Sequence, residues 1–174
     1  MEENVSNAGV SVRSVGMKFG LISAVYSIVF LVGMSLAGLM AFDNKWSWLH
    51  MVVSIVILVL AQREFKSSGD GFMRYGQGIG IAFWISLTAI VVAGLFTYVY
   101  AEVLAPETME KFYDFQREQM EANNTPDAQI EMAQTWTKKL FWPMYVLGGM
   151  FFAILTALIV TIFTQKKNPE NTFS

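Results

Sequence analysis

The chain has 174 residues, a formal net charge of −2, and 54% hydrophobic residues, an excess over ordinary soluble domains. That charge balance leaves no electrostatic footprint for nucleic acid. The absence of cysteine excludes disulfides, thiolate metal sites and cysteine nucleophiles.

The first fifteen residues are polar and read as a tail or a short interfacial lead-in. Arg13 and Lys18 resemble the basic start of a secretory signal, but the apolar run after them, 19–42, has 24 residues. A signal core is only about 7–15 residues long, so the run reads as a retained first membrane helix. A second span over 46–61 follows the tight link Asp43-Asn44-Lys45, which forces an antiparallel hairpin. This span is short, with Trp46 and Trp48 suited to one interface and Gln62-Arg63 placed to snorkel at the other. Third and fourth spans, 76–100 and 140–164, are 25 residues each and carry no charge. Each of these three runs other than the second covers a hydrocarbon core of about 30 Å with some tilt. Their apolar character is continuous, without the alternation of barrel strands, so helices satisfy the backbone inside the bilayer.

The polar stretch 101–139 reads as two helices. One opens at Pro106-Glu107 and places Met109, Phe112, Tyr113, Gln116 and Met120 on one face. Glu107 and Lys111 are spaced as an i,i+4 pair. Asn123-Asn124 breaks the helix, and Thr125-Pro126-Asp127 restarts one, with Thr125 as cap and Pro126 as first helical residue. Ile130, Ala133, Trp136 and Leu140 line its apolar side. This second helix is expected to run into the fourth span, with Pro143 as a kink. The expected fold is therefore all-α: a single polytopic membrane domain, 1–174, with four transmembrane helices and a short extramembrane helical hairpin between the third and fourth.

Four spans place both termini on one side. That side carries Arg13, Lys18, Arg63, Lys66, Arg74, Lys166 and Lys167; the other carries Lys45, Lys111, Arg117, Lys138 and Lys139. The excess of basic residues favours cytoplasmic termini and an extracytoplasmic 101–139, although Lys138-Lys139 pull the other way.

Few residues carry chemistry. The run from Gly69-Asp70-Gly71 to Gly76-Gln77-Gly78-Ile79-Gly80 looks like a phosphate-binding loop, but a membrane helix precedes it where a strand is required. A turn leading into a glycine-lined helix is the fitting reading. Small residues four apart, Gly16/Gly20, Gly33/Ala37, Gly76/Gly80 and Gly149/Ala153/Ala157, suit close helix packing, inside the bundle or across a homodimer face. His50, the single histidine, has no second histidine or cysteine for a metal site and no acidic partner within the spans for a proton relay. The eight acids of 101–139 lack calcium-loop spacing and fit a solvated face. The stripe Met109, Phe112, Tyr113 and Met120 is suited to the membrane surface, the bundle or a partner.

The order of these features resembles a bacterial membrane-protein family, domain of unknown function 4199. The resemblance is carried by Gly69-Asp70-Gly71-Phe72, Gly76-Gln77-Gly78, Pro106, Gln129-Ile130-Glu131 and Lys166-Lys167-Asn168-Pro169, and it covers most of the chain from Gly16 to Pro169. It implies four helices and the inner (cytoplasmic) membrane of Gram-negative bacteria, and assigns no catalytic or binding residues. The functional expectation is a non-enzymatic accessory or scaffold component, without cofactor or metal, contacting the lipid bilayer and another membrane or envelope protein. The rival readings are an oligomeric transporter or channel subunit and, below it, an interfacial lipid-modifying enzyme using His50, Glu102 or Glu107.

Overall fold

A computed structural model describes residues 10–39, 42 and 44–166. The tail before Val10, Asp43 of the first link and the closing Lys167-Asn168-Pro169 lie outside the described residues.

Helix α1, Val12–Leu36, starts where the Ser11 hydroxyl accepts from the Ser14 amide at 3.0 Å, a side-chain N-cap. It ends at Gly38, whose φ of 70° lets the Leu39 amide reach the Met34 carbonyl at 2.9 Å. This glycine-centred cap stops the helix short of the expected 42, although the apolar run continues. A 3₁₀ turn, Asn44–Trp46, leads into α2, Ser47–Ser68. Helix α2 continues about two turns past the expected end at 61, because Gln62 and Lys66 satisfy their polar groups inside the protein. The turn after it holds Gly71 at φ 83°, and the Asp70 carboxylate accepts from the Phe72 amide at 3.0 Å.

Helix α3 runs over Tyr75–Leu104, with π-helical stretches at Ile90–Gly94 and Tyr100–Leu104. Helix α4, Glu107–Ala122, ends as expected at Asn123-Asn124, with Asn124 at φ 56°. Helix α5, Asp127–Thr164, is a single helix of 38 residues that contains Pro143. At 1.5 Å per residue it extends about 57 Å, nearly twice a hydrocarbon core of about 30 Å. Its start differs in detail from expectation: Thr125 makes no side-chain cap, and the Pro126 carbonyl accepts from the Gln129 and Ile130 amides.

Four of these helices, α1, α2, α3 and α5, are long and apolar enough to cross a membrane. The chain is an all-α polytopic membrane protein. Helices α1 and α3 lie parallel, since Val12 meets Gly80, Gly20 meets Thr88 and the Tyr100 hydroxyl donates to Ser35 at 2.8 Å. Helix α2 is antiparallel to α1, with the Lys18–Glu64 ion pair (2.8 Å) at one end and the Phe30–His50 ring contact at the other. Helix α5 is antiparallel to α3, with Thr161 at Gly78 and Trp142 at Tyr98.

The tight core occupies the half of the bundle nearer the termini, around Phe19, Leu58, Phe65, Met73 and Ile81. A two-bond antiparallel bridge between Met73 and Lys166, at 2.9 and 3.0 Å, ties the end of α5 to the α2–α3 turn. Leu147, Phe151 and Ile159 face outward from α5. In hydrocarbon such a surface costs nothing, because lipid tails are as apolar as these side chains.

Candidate functional site

Three places in the bundle concentrate polar or aromatic groups. The first lies at the end nearer the termini. Gln62, expected to snorkel to the interface, is instead fully buried between α2, α3 and α5. Its Nε2 donates to Thr161 Oγ1 at 2.9 Å and to the Gly78 carbonyl at 3.2 Å, while its Oε1 accepts from the Thr164 hydroxyl. Lys66 Nζ donates to the Thr164 carbonyl at 2.7 Å, supplying a partner at the end of α5 where the helix's own donors run out. Gly78 makes this junction possible. A Cβ there would sit 2.4 Å from Thr161 Cγ2. Every polar atom of the amide is thus used within the fold, and the cluster acts as a lock between helices.

The second place is a cavity of about 410 Å³ among α1, α2, α3 and α5. His50 lies at its end nearer the hairpin. Ser23, Ser54, Ser86 and Thr156 line it further in, among apolar residues such as Ile57, Ile85 and Phe152. The His50 ring packs edge-on against Phe30 at 4.2 Å and Tyr26 at 5.5 Å between centroids. The Tyr26 hydroxyl is buried with no hydrogen-bond partner among the described residues.

The third place is the end with the hairpin. Phe112 of α4 makes edge-to-face contacts with Phe42 and with Phe141 of α5, at 5.9 and 5.4 Å. The Trp142 indole donates to the Glu102 carboxylate at 2.9 Å, joining the ends of the third and fourth spans. Gln134 Nε2 donates to the Tyr113 carbonyl at 2.8 Å, and the Lys138 ammonium lies 5.2 Å over the Tyr113 ring. Burial, and then the negative charge of Glu102, push the Tyr113 phenol above its ordinary value. On α4 the Arg117 guanidinium pairs with Glu121 at 2.9 Å, and that hydrogen bond and charge raise the arginine further. The part of α5 beside the hairpin turns Ile130 inward, 2% exposed, and leaves Met132 and Trp136 exposed at 59% and 57%.

The residues singled out in the sequence divide among these places. Gly16, Gly20 and Gly80 face the α1–α3 contact. A Cβ on Gly16 would come within 2.3 Å of Trp84 Cβ, and one on Gly20 within 2.6 Å of Thr88 Cβ. Gly33 and Gly76 have open space where a Cβ would project, and Ala37 is exposed. Gly149 and Ala153 line the cavity, and Ala157 is buried in the core. Met109 is buried under α4, Phe112 and Tyr113 are half-buried against α5, and Met120 is half-buried near the far end of α4. His50, Glu102 and Glu107 are not brought together by any contact: His50 sits on aromatic rings, Glu102 takes the Trp142 indole, and Glu107 is exposed in the first turn of α4.

Sequence reasoning missed Gln62, because a lone glutamine before Arg63 at the end of an apolar run looks like an interface residue. It also missed that Trp136 points outward.

Residues 18–166 match the family described as Protein of unknown function (DUF4199), and the chain belongs to that family. No curated protein matches the chain, and no solved structure does.

Proposed function

We propose that this member of the family is a non-enzymatic accessory component of the bacterial inner membrane, which meets another membrane or envelope protein through α4 and the outer part of α5. The observation that carries this reading is the outward face of α5 beyond the bilayer. Met132 and Trp136, one turn apart, are more than half exposed there, although a third of the helix stands clear of the spans. Tryptophan at such a position is the residue type most often found to anchor protein contacts.

The stiffness of the arm supports the reading. The hairpin is braced on the bundle by the Phe42–Phe112–Phe141 cluster and by the Gln134–Tyr113 bond, so it presents a pre-ordered surface. A contact that needs no ordering loses less entropy on binding. The spans supply no counter-argument in charge: 19–42, 46–61, 76–100 and 140–164 contain no Asp, Glu, Lys or Arg. Ion-coupled transport and hydrolysis within the membrane draw on such residues. The basic-residue excess around the termini supports their cytoplasmic placement, with the hairpin outside.

The test is purification of tagged protein from its native membrane in mild detergent, followed by mass spectrometry. A stoichiometric partner that is lost in Trp136→Ala or Met132→Glu, with the bundle still folded, is the expected result. A lone wild-type chain, or a partner held equally by both variants, overturns the reading.

A further inference from the structure

We infer that the cavity between α1, α2, α3 and α5 holds the apolar chain of a neutral membrane amphiphile, with the hydrogen-bonding end group of that molecule at His50. The cavity lies within the spans, so the medium beside it is hydrocarbon. Its lining runs along α2 from His50 to Leu58, about 12 Å at 1.5 Å per residue, from the end of the helix nearer the hairpin towards the middle of the bundle. Its volume, about 410 Å³, is within the range of ligand sites. An apolar cavity of about 150 Å³ accepts benzene, so by proportion this one accommodates a chain of roughly a dozen carbons or more.

The polar groups of the lining decide the class of the molecule. Among the described residues no aspartate, glutamate, lysine or arginine lines the cavity, so a charged head would be buried without a counter-charge. Ser86 donates its hydroxyl to the Phe83 carbonyl at 3.0 Å, within its own helix. The other polar groups of the lining are the Ser23, Ser54 and Thr156 hydroxyls along the wall and the His50 imidazole at the end nearer the hairpin. The His50 imidazole packs on the rings of Phe30 and Tyr26. Beside it the Tyr26 hydroxyl is buried with no hydrogen-bond partner among the described residues. An ester or hydroxyl arriving at this end offers the His50 imidazole, which lines the cavity, a hydrogen-bond partner. Water fits less well further in, since it needs two to four polar partners and most of the wall is apolar.

The experiment uses the full chain in lipid nanodiscs and a long-chain fatty alcohol bearing a diazirine midway along its chain. After irradiation, peptide mass spectrometry maps the adducts. The expected pattern has adducts at Ser54, Ile57, Ile85 or Ala89 in addition to the lipid-facing Leu147 and Phe151. Ala89→Phe, which fills the cavity, removes the inner adducts and keeps the outer ones; Ser54→Leu, a gentler filling, reduces them if the first variant does not fold. His50→Leu lowers the apparent affinity for the inner site ~tenfold, the effect of one lost hydrogen bond, without altering a matched alkane probe. Adducts confined to Leu147 and Phe151 in the wild type overturn the inference, as do inner adducts that persist in both filled variants. Equal inner labelling by alcohol and alkane, unchanged in His50→Leu, overturns the assignment of the end group.

Discussion

Gln62 and Thr161 stand 99 positions apart in the chain and are joined by a 2.9 Å hydrogen bond in the buried seam where α2, α3 and α5 meet. The same amide also serves Gly78 and Thr164, so no single contact defines its contribution. Gln62→Leu removes the side-chain donor to the Gly78 carbonyl and to Thr161 and leaves the Thr164 hydroxyl with the Val160 carbonyl alone, and is expected to cost about 1–2 kcal/mol. Thr161→Val alone removes one partner. The double variant replaces both by apolar groups and should regain part of the loss. Coupling between the two sites is expected at about 0.5–1.7 kcal/mol, the range seen for hydrogen bonds between membrane helices. Unfolding in mixed micelles, measured across the four-member cycle, gives the value; additive losses would show that the two side chains do not act together.

The spans were legible because long uncharged runs have one stable solution in lipid, and each of the four runs overlaps one of α1, α2, α3 and α5, with ends that differ. What hydropathy could not reveal depends on three dimensions. Gln62 ends an apolar run, and only the approach of Thr161 and Gly78 turns its position from an interface into a core. Gly38 sits inside an apolar stretch, yet its backbone conformation, rather than any loss of hydrophobicity, ends α1. The stripe Met109–Phe112–Tyr113 was visible as helical spacing on α4. Its cover, Phe42 and Phe141, comes from segments thirty to seventy residues away, which periodicity does not connect. Likewise Ile130 and Trp136 share an apolar character in sequence, but the former is buried and the latter more than half exposed.

The glycines should separate sharply under substitution. At Gly16 and Gly20 a Cβ would overlap Trp84 and Thr88, and at Gly78 it would overlap Thr161. Alanine at any of the three forces α1 from α3, or α3 from α5, at about 1–3 kcal/mol each. Gly33→Ala and Gly76→Ala meet nothing within 4 Å and should be neutral or slightly stabilising, since alanine is the better helix former. Thermal unfolding in detergent ranks the five. Large losses at Gly33 or Gly76 would instead point to contacts between copies of the chain.

Docking of α4 should weaken at high pH through Tyr113. Its phenol is held above the ordinary value, first by burial and then by Glu102, so the folded state keeps the proton at a pH where the unfolded chain releases it. The associated stability is complete below the unfolded value of about 10 and disappears as pH rises through the higher folded value. Tyrosinate absorbance against pH, together with proteolytic release of α4, follows the change. Tyr113→Phe retains the ring under Lys138 and should flatten this part of the profile. Glu102→Gln should bring the titration down towards the ordinary value. An unchanged profile in both variants would remove Tyr113 from the account.

The orientation can be measured directly because the chain has no cysteine of its own. Ser68, at the end of α2, and Glu118, on the outer face of α4, are both exposed and lie at opposite ends of the bundle. With cytoplasmic termini, Glu118→Cys is labelled by a membrane-impermeant maleimide in spheroplasts, whereas Ser68→Cys reacts only after the membrane is opened. The basic residues lead to this expectation: Arg63, Lys66 and Arg74 crowd the α2–α3 turn close to the ends of two spans, while Lys111 and Arg117 are spread along a hairpin that stands away from them. Lys138-Lys139 oppose it, yet both sit over aromatic rings, Tyr113 and Trp136, at 5.2 and 5.9 Å. Cation–π contact offsets part of the cost of holding those two charges near the bilayer on the outer side. Labelling in the reverse pattern would place the hairpin, and with it Trp136, in the cytoplasm, and the search for a partner would move to that compartment.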